Sequence, residues 1–137
     1  MSTVSNPLST DDVAAIERTF ESASRMITTG DWAGWAALYA EDAILHPPHG
    51  PAVHGRRALL EWGHAFPPVD EVRFFDVRLF GGGDVVYATS AYSLRLKGLP
   101  PDTGKQLAVI RRKPEGWTVL AVSFNSDLPL PGPASAR

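Results

Sequence analysis

The sequence predicts an α+β domain in which three N-terminal helices cover one face of an antiparallel sheet, leaving a concave mouth. Three observations carry this. In the first half of the chain, apolar residues recur every three or four positions between helix caps. After Pro67-Pro68 the texture changes to long β-rich runs, and those runs are separated by short clusters of Gly, Pro and Asp that suit hairpins.

From Ser9 to Thr29, Val13, Ile16, Phe20, Ala23 and Ile27 form one stripe of an amphipathic helix. Glu17, Arg18, Glu21 and Arg25 occupy its other face. Ser9 or Thr10 caps the start, with Asp11 and Asp12 where the helix dipole favours negative charge, and Gly30 supplies a left-handed exit. Asp31 caps a second helix carrying Trp32, Trp35, Leu38 and Tyr39, an aromatic load that needs a broad surface such as a sheet. Glu41-Asp42 closes that helix, and Ala43 to Leu45 reads as a short strand ended by Pro47 and Pro48. Leu59, Leu60, Gly63 and Phe66 give Arg56 to Phe66 a helical period, stopped by Pro67-Pro68. Glu71 to Phe80, Val85 to Lys97, Lys105 to Lys113 and Trp117 to Asn125 are the four strands of a meander. One domain over 10–127 is expected, with a flexible N-terminus over 1–9 and a disordered tail over 128–137.

With 137 residues, 44% of them hydrophobic, the chain can bury one sizeable core. A net charge of -2 without basic or acidic blocks favours neither nucleic acid nor an anionic membrane as partner. Cysteine is absent, so disulfides, thiolate metal sites and a Cys nucleophile are excluded. No signal pattern occupies the first thirty residues and no apolar run approaches the roughly twenty residues a membrane span needs, so a cytoplasmic location is expected. Gly81-Gly82-Gly83 lies between two strands and reads as a hairpin turn, not a phosphate loop, and no Ser-centred nucleophile elbow is present.

The run from Gly30 through Trp32, Trp35, Tyr39, Glu41 and Asp42 to Leu45, followed by His54-Gly55-Arg56, resembles the cone-shaped α+β superfamily of nuclear transport factor 2, ketosteroid isomerase, scytalone dehydratase and the SnoaL-like polyketide cyclases. The resemblance covers about Thr10 to Ser126. It implies a curved antiparallel sheet under three helices, a homodimer formed through the sheet, and an apolar molecule held inside the cone. Ketosteroid isomerase uses a carboxylate base with a tyrosine and a protonated aspartic acid. The resemblance places those three positions on Pro47, Ala23 and Ala108, none of which can transfer or donate a proton. Tyr39, Trp62 and Asn125 fall at positions that line the relative's cavity, and Phe66 and Tyr92 join them by helical and strand spacing. These five are the candidate ligand-binding residues. Each aromatic taken alone also suits ordinary core packing.

His46, His49 and His54 lie within nine residues, but their spacing matches no established ligand motif and Pro47, Pro48 and Pro51 oppose convergence, so no metal is expected. His46, beside the former base position, is the candidate catalytic acid or base, although alternation turns it away from the cavity if Pro47 points in. Asp76, Arg78, Arg95 and Arg111 admit the aspartate–arginine–aspartate arrangement of limonene epoxide hydrolase, or simply a solvated sheet face. Three functions follow as expectations: a cofactor-free binder of a small apolar or aromatic molecule, a cofactor-free isomerase, cyclase or dehydratase using His46, and a dimerising interaction module without ligand.

Overall fold

Ser9 accepts a hydrogen bond from the Asp12 amide at 3.0 Å and starts α1 (Thr10–Thr29). Gly30, at φ 75°, ends it, with its own N–H bonded to the Ile27 carbonyl and that of Asp31 to the Met26 carbonyl. The computed structural model describes residues 3–4, as backbone, and 8–129. The expectations of a flexible start and a disordered tail fall largely outside those residues; Thr3–Val4, which forms β1, is described.

Asp31 caps α2 (Trp32–Ala37) through its carboxylate and the Gly34 N–H, 3.0 Å apart. The helix is shorter than its aromatic spacing predicts. The Leu38 carbonyl, instead of continuing the helix, accepts the Val119 N–H at 3.0 Å, so Tyr39 begins β2 (Tyr39–His46) and does not close the helix. A long-range backbone bond thus overrides the local pattern, and Glu41 and Asp42 lie in the strand. β3 (Val53–His54) folds back on β2, and α3 (Arg56–Ala65) ends where Phe66 turns extended ahead of Pro67.

The meander consists of β4 (Val69–Gly82), β5 (Val85–Leu96), β6 (Asp102–Lys113) and β7 (Gly116–Ser126), antiparallel throughout as expected. Two parallel pairings extend it. β2 runs parallel beside β7 and β1 beside β4, giving the order β1-β4-β5-β6-β7-β2-β3. Register shifts between Phe75 and Arg78, between Val109 and Ile110, and between Tyr39 and Ile44 interrupt the ladders. Such bulges bend strands and increase their twist, which curves the sheet around the helices. Asp76, at φ 54°, sits in the first of them.

The concave face carries the core. Ile16 of α1 and Leu59 of α3 have no exposed surface, and they pack in one cluster with Leu45, Leu79, Val86 and Ile110 from the sheet. Removing such side chains from water stabilises by about 1.5–3 kcal/mol each. No helix among the described residues is long and apolar enough to cross a membrane.

One ionic contact joins the chain's first helix to its last hairpin. Arg112 of β6 donates from Nη1 and Nη2 to the two Asp12 carboxylate oxygens, both at 2.9 Å, while its guanidinium lies 4.5 Å over the Trp117 ring. These hydrogen bonds hold the Asp12 carboxyl at about 2, below the ordinary 3.8. A carboxylate with a depressed pKa stabilises the fold above its unfolded value, and the contribution disappears as pH falls from about 3.8 through about 2. Asp12→Asn is therefore expected to lower the unfolding midpoint at neutral pH and to converge on the wild type only below about pH 2. Paired denaturation series across that range measure it.

Candidate functional site

Between the helices and the sheet lies a cavity of about 100 Å³. Its roof is α1, through Phe20, Ala23 and Ile27; its floor is the inner face of β4 to β7, and Leu45 of β2 completes one side. α2 and α3 close one end with stacked rings. Trp35 lies 5.9 Å from Trp62 at an interplanar angle of 29°, Trp32 meets Trp35 edge-on at 5.2 Å, and Phe66 lies 5.0 Å from Trp62. Trp62 then contacts Phe124 of β7, which contacts Tyr92 of β5, both edge-to-face. The aromatic load on the short helix is thereby explained. Its rings bridge to the sheet like an arch and leave space beneath them.

Two glycines make that arch possible. Gly63 presents bare backbone to the Trp32 ring, and any Cβ there would overlap the indole. Gly104, cross-strand partner of Tyr92, leaves room for the phenol ring to lie over β6. A further anchor holds Tyr39, whose carbonyl accepts from both Nε and Nη2 of Arg56, at 3.1 and 2.6 Å, where the β2 register breaks.

Among the described residues no charged side chain lines the cavity. Its polar groups are Thr19, Gln106, the hydroxyls of Tyr39 and Tyr92, and the indole N–H groups of Trp32, Trp35 and Trp62. Burial pushes the Tyr39 phenol well above the ordinary tyrosine range. Tyr92 is pushed up to about 12, first by burial and then by the negative charges of Asp102 and Asp127. Both phenols are therefore protonated at neutral pH and are poor bases.

Four of the five candidate ligand-binding residues, Tyr39, Trp62, Phe66 and Tyr92, meet in this wall. Asn125 does not. Strand alternation turns Phe124 inward and leaves Asn125 exposed on the opposite face, so the position read as a polar handle is taken by a phenyl ring. The same alternation separates Leu45, in the wall, from His46, which is exposed and absent from it. Pro47 is outside the lining, while Ala23 and Ala108 are both in it. Asp76 and Arg78 pair with each other at 3.3 Å on the outer surface, Arg95 pairs with Asp70 at 2.8 Å, and Arg111 is exposed; none of the four enters the cavity. Among the described residues no three His, Asp or Glu side chains gather as a metal site would. Phe20, already on the apolar stripe of α1, also lines the cavity, and strand spacing left out Phe74 of β4 and Gln106 of β6, whose inward parity depends on where the bulges fall.

The family model described as a SnoaL-like domain matches residues 9–124. No curated protein matches the chain significantly. Solved structures do. An NTF2-like protein with a cystatin-like fold from Novosphingobium aromaticivorans superposes with a TM-score of 0.76 at 15% identity, covering 93% of this chain and 90% of its own. A ketosteroid isomerase-like protein from Erwinia carotovora atroseptica gives 0.73 at 19% identity, over 88% and 99%. A protein of unknown function from Nostoc punctiforme gives 0.81 at 16% identity, over 92% and 98%. At these identities the likeness concerns the fold alone.

Gly63→Ala tests the arch. A mid-helix Gly→Ala exchange ordinarily stabilises by up to about 1 kcal/mol, but overpacking against Trp32 costs about 1–3 kcal/mol. The expected net result is a lower melting temperature with altered tryptophan fluorescence. A gain in stability would show that the indole is not pinned there.

Proposed function

The chain belongs to the SnoaL-like domain family, and we propose that it binds one small apolar or aromatic ring inside its cone, without a cofactor. The observation that carries this reading is a wall built mainly from aromatic and aliphatic side chains, with no charged one among the described residues. A dry apolar cavity of about 150 Å³ suffices to hold benzene, whereas drug-sized ligands take pockets of about 300 Å³ and more. The volume of about 100 Å³ therefore favours a single ring over a fused polycyclic system.

Acid–base catalysis is the weaker reading. It needs a titratable group facing the substrate near neutral pH, and the wall offers only phenols that burial keeps protonated.

Toluene is a direct probe. At a concentration a hundred times its dissociation constant, a ligand specific for the native state stabilises by about 2.7 kcal/mol, several degrees in melting temperature. Ala108→Leu and Ala23→Leu each put a branched side chain into the hollow and are expected to abolish that shift while leaving the fold intact by circular dichroism. A wild-type protein that melts at the same temperature with and without toluene refutes the proposal.

The reading also includes a homodimer formed through the outer sheet face. Phe75, Val85, Tyr87 and Leu107 are 39%, 48%, 46% and 45% exposed there, and Phe80 stacks on Tyr87 at 5.0 Å. Contiguous exposed apolar surface of this kind suits a self-complementary contact. Sedimentation is expected to give twice the chain mass for the wild type and the single chain mass for Leu107→Glu.

A further inference from the structure

The inner face of the sheet holds one polar defect next to the cavity. Ser90 of β5 is 6% exposed and faces inward with Ala88 and Tyr92, and its Oγ is the buried side-chain oxygen that has no hydrogen-bond partner among the described residues. A buried hydroxyl without a partner costs about 1–3 kcal/mol, so its presence in an otherwise apolar layer calls for a physical reason. Directly opposite it on β6 is Gln106. Cross-strand neighbours share a face with Cβ atoms about 4.5–5.5 Å apart. Gln106 lines the cavity, and its amide makes no hydrogen bond to a described residue. The other polar groups are differently placed. The Thr19 hydroxyl is spent on the Ala15 carbonyl at 3.2 Å, and neither the Tyr39 nor the Tyr92 hydroxyl is a fully buried oxygen left without a partner.

Building on the ring-binding reading above, we infer that the ligand is a ring carrying one neutral hydrogen-bonding oxygen, read by the Gln106 amide with Ser90 behind it. Glutamine is long enough to present one end of its amide to the cavity while the other engages Ser90 Oγ. Its N–H₂ donates to the ligand oxygen, its carbonyl accepts from the serine hydroxyl, and the defect is repaired when the ligand is in place. Gln106 is the contact residue and Ser90 the positioning residue. The oxygen must be uncharged, because no cationic side chain lines the cavity and an unpaired carboxylate would forfeit its hydration. A phenol or an aryl aldehyde fits; benzoate does not.

Isothermal titration of the intact protein with toluene, phenol and benzoate distinguishes this from a purely apolar pocket. Without a partner for its hydroxyl, phenol should bind at least tenfold more weakly than toluene, since burial of an unpaired hydroxyl costs more than about 1.4 kcal/mol. The inference expects phenol to bind at least as tightly as toluene and benzoate not to bind. Gln106→Leu and Ser90→Ala are each expected to shift the phenol-to-toluene preference at least threefold toward toluene. Ser90→Ala removes only an unpartnered hydroxyl, so it should fold at least as stably as the wild type and keeps the test valid if Gln106→Leu does not. Toluene binding with a preference that neither substitution moves overturns the inference and leaves the ring-binding reading intact. If neither toluene nor phenol binds, both fall together.

Discussion

The structure depends on a covering problem. A long, mostly antiparallel sheet bent by bulges has a deeply concave inner face, and that face must be screened from water by a limited amount of helix. α1 crosses it once, lashed at its start by Asp12 to Arg112 and near its end by Ser24, whose hydroxyl donates to the Val72 carbonyl. The remainder falls to six residues of α2 and ten of α3. Helices this short cover a broad surface only with the largest side chains, and Trp32, Trp35, Trp62 and Phe66 supply them. Flat rings span a gap without filling it. Where they meet Ala23 above and Ala108 below, the interior stays hollow.

Most of this architecture was legible in the sequence because it is written locally. The three-and-four spacing of Val13, Ile16, Phe20, Ala23 and Ile27, the caps at Ser9 and Asp31, and the stop at Pro67 set α1, the start of α2 and α3 within a residue or two. Turn chemistry located all four meander strands. What escaped was non-local. Tyr39 looks helical beside Trp35 and becomes a strand residue only because Val119, eighty positions away, takes up the Leu38 carbonyl. The inward parity of Phe124 over Asn125 depends on the bulge at Leu120 of β7, opposite Val109 and Ile110, which no pattern in β7 announces. Tyr39, Trp62, Phe66 and Tyr92 were found because large aromatics leave a trace in spacing, whereas a lone serine and glutamine on two strands leave none.

The stability of the cone resides in the sheet, in the apolar underside of α1 and in the aromatic arch, whereas the resemblance to ketosteroid isomerase puts that enzyme's proton-moving positions on Pro47, Ala23 and Ala108. Ala23 and Ala108 are now part of the wall itself. Function in such a fold is a property of a few inward-facing side chains, and those can change while the surrounding packing persists.

The clasp between Asp12 and Arg112 joins residues one hundred positions apart, and the β2–β7 pairing likewise waits for the far end of the chain. A ribosome adding about 5–20 residues per second needs on the order of 5–20 s to traverse that interval. Throughout it, an amphipathic helix and its tryptophans have no sheet to rest upon. The domain's most adhesive surface is thus the one it makes first.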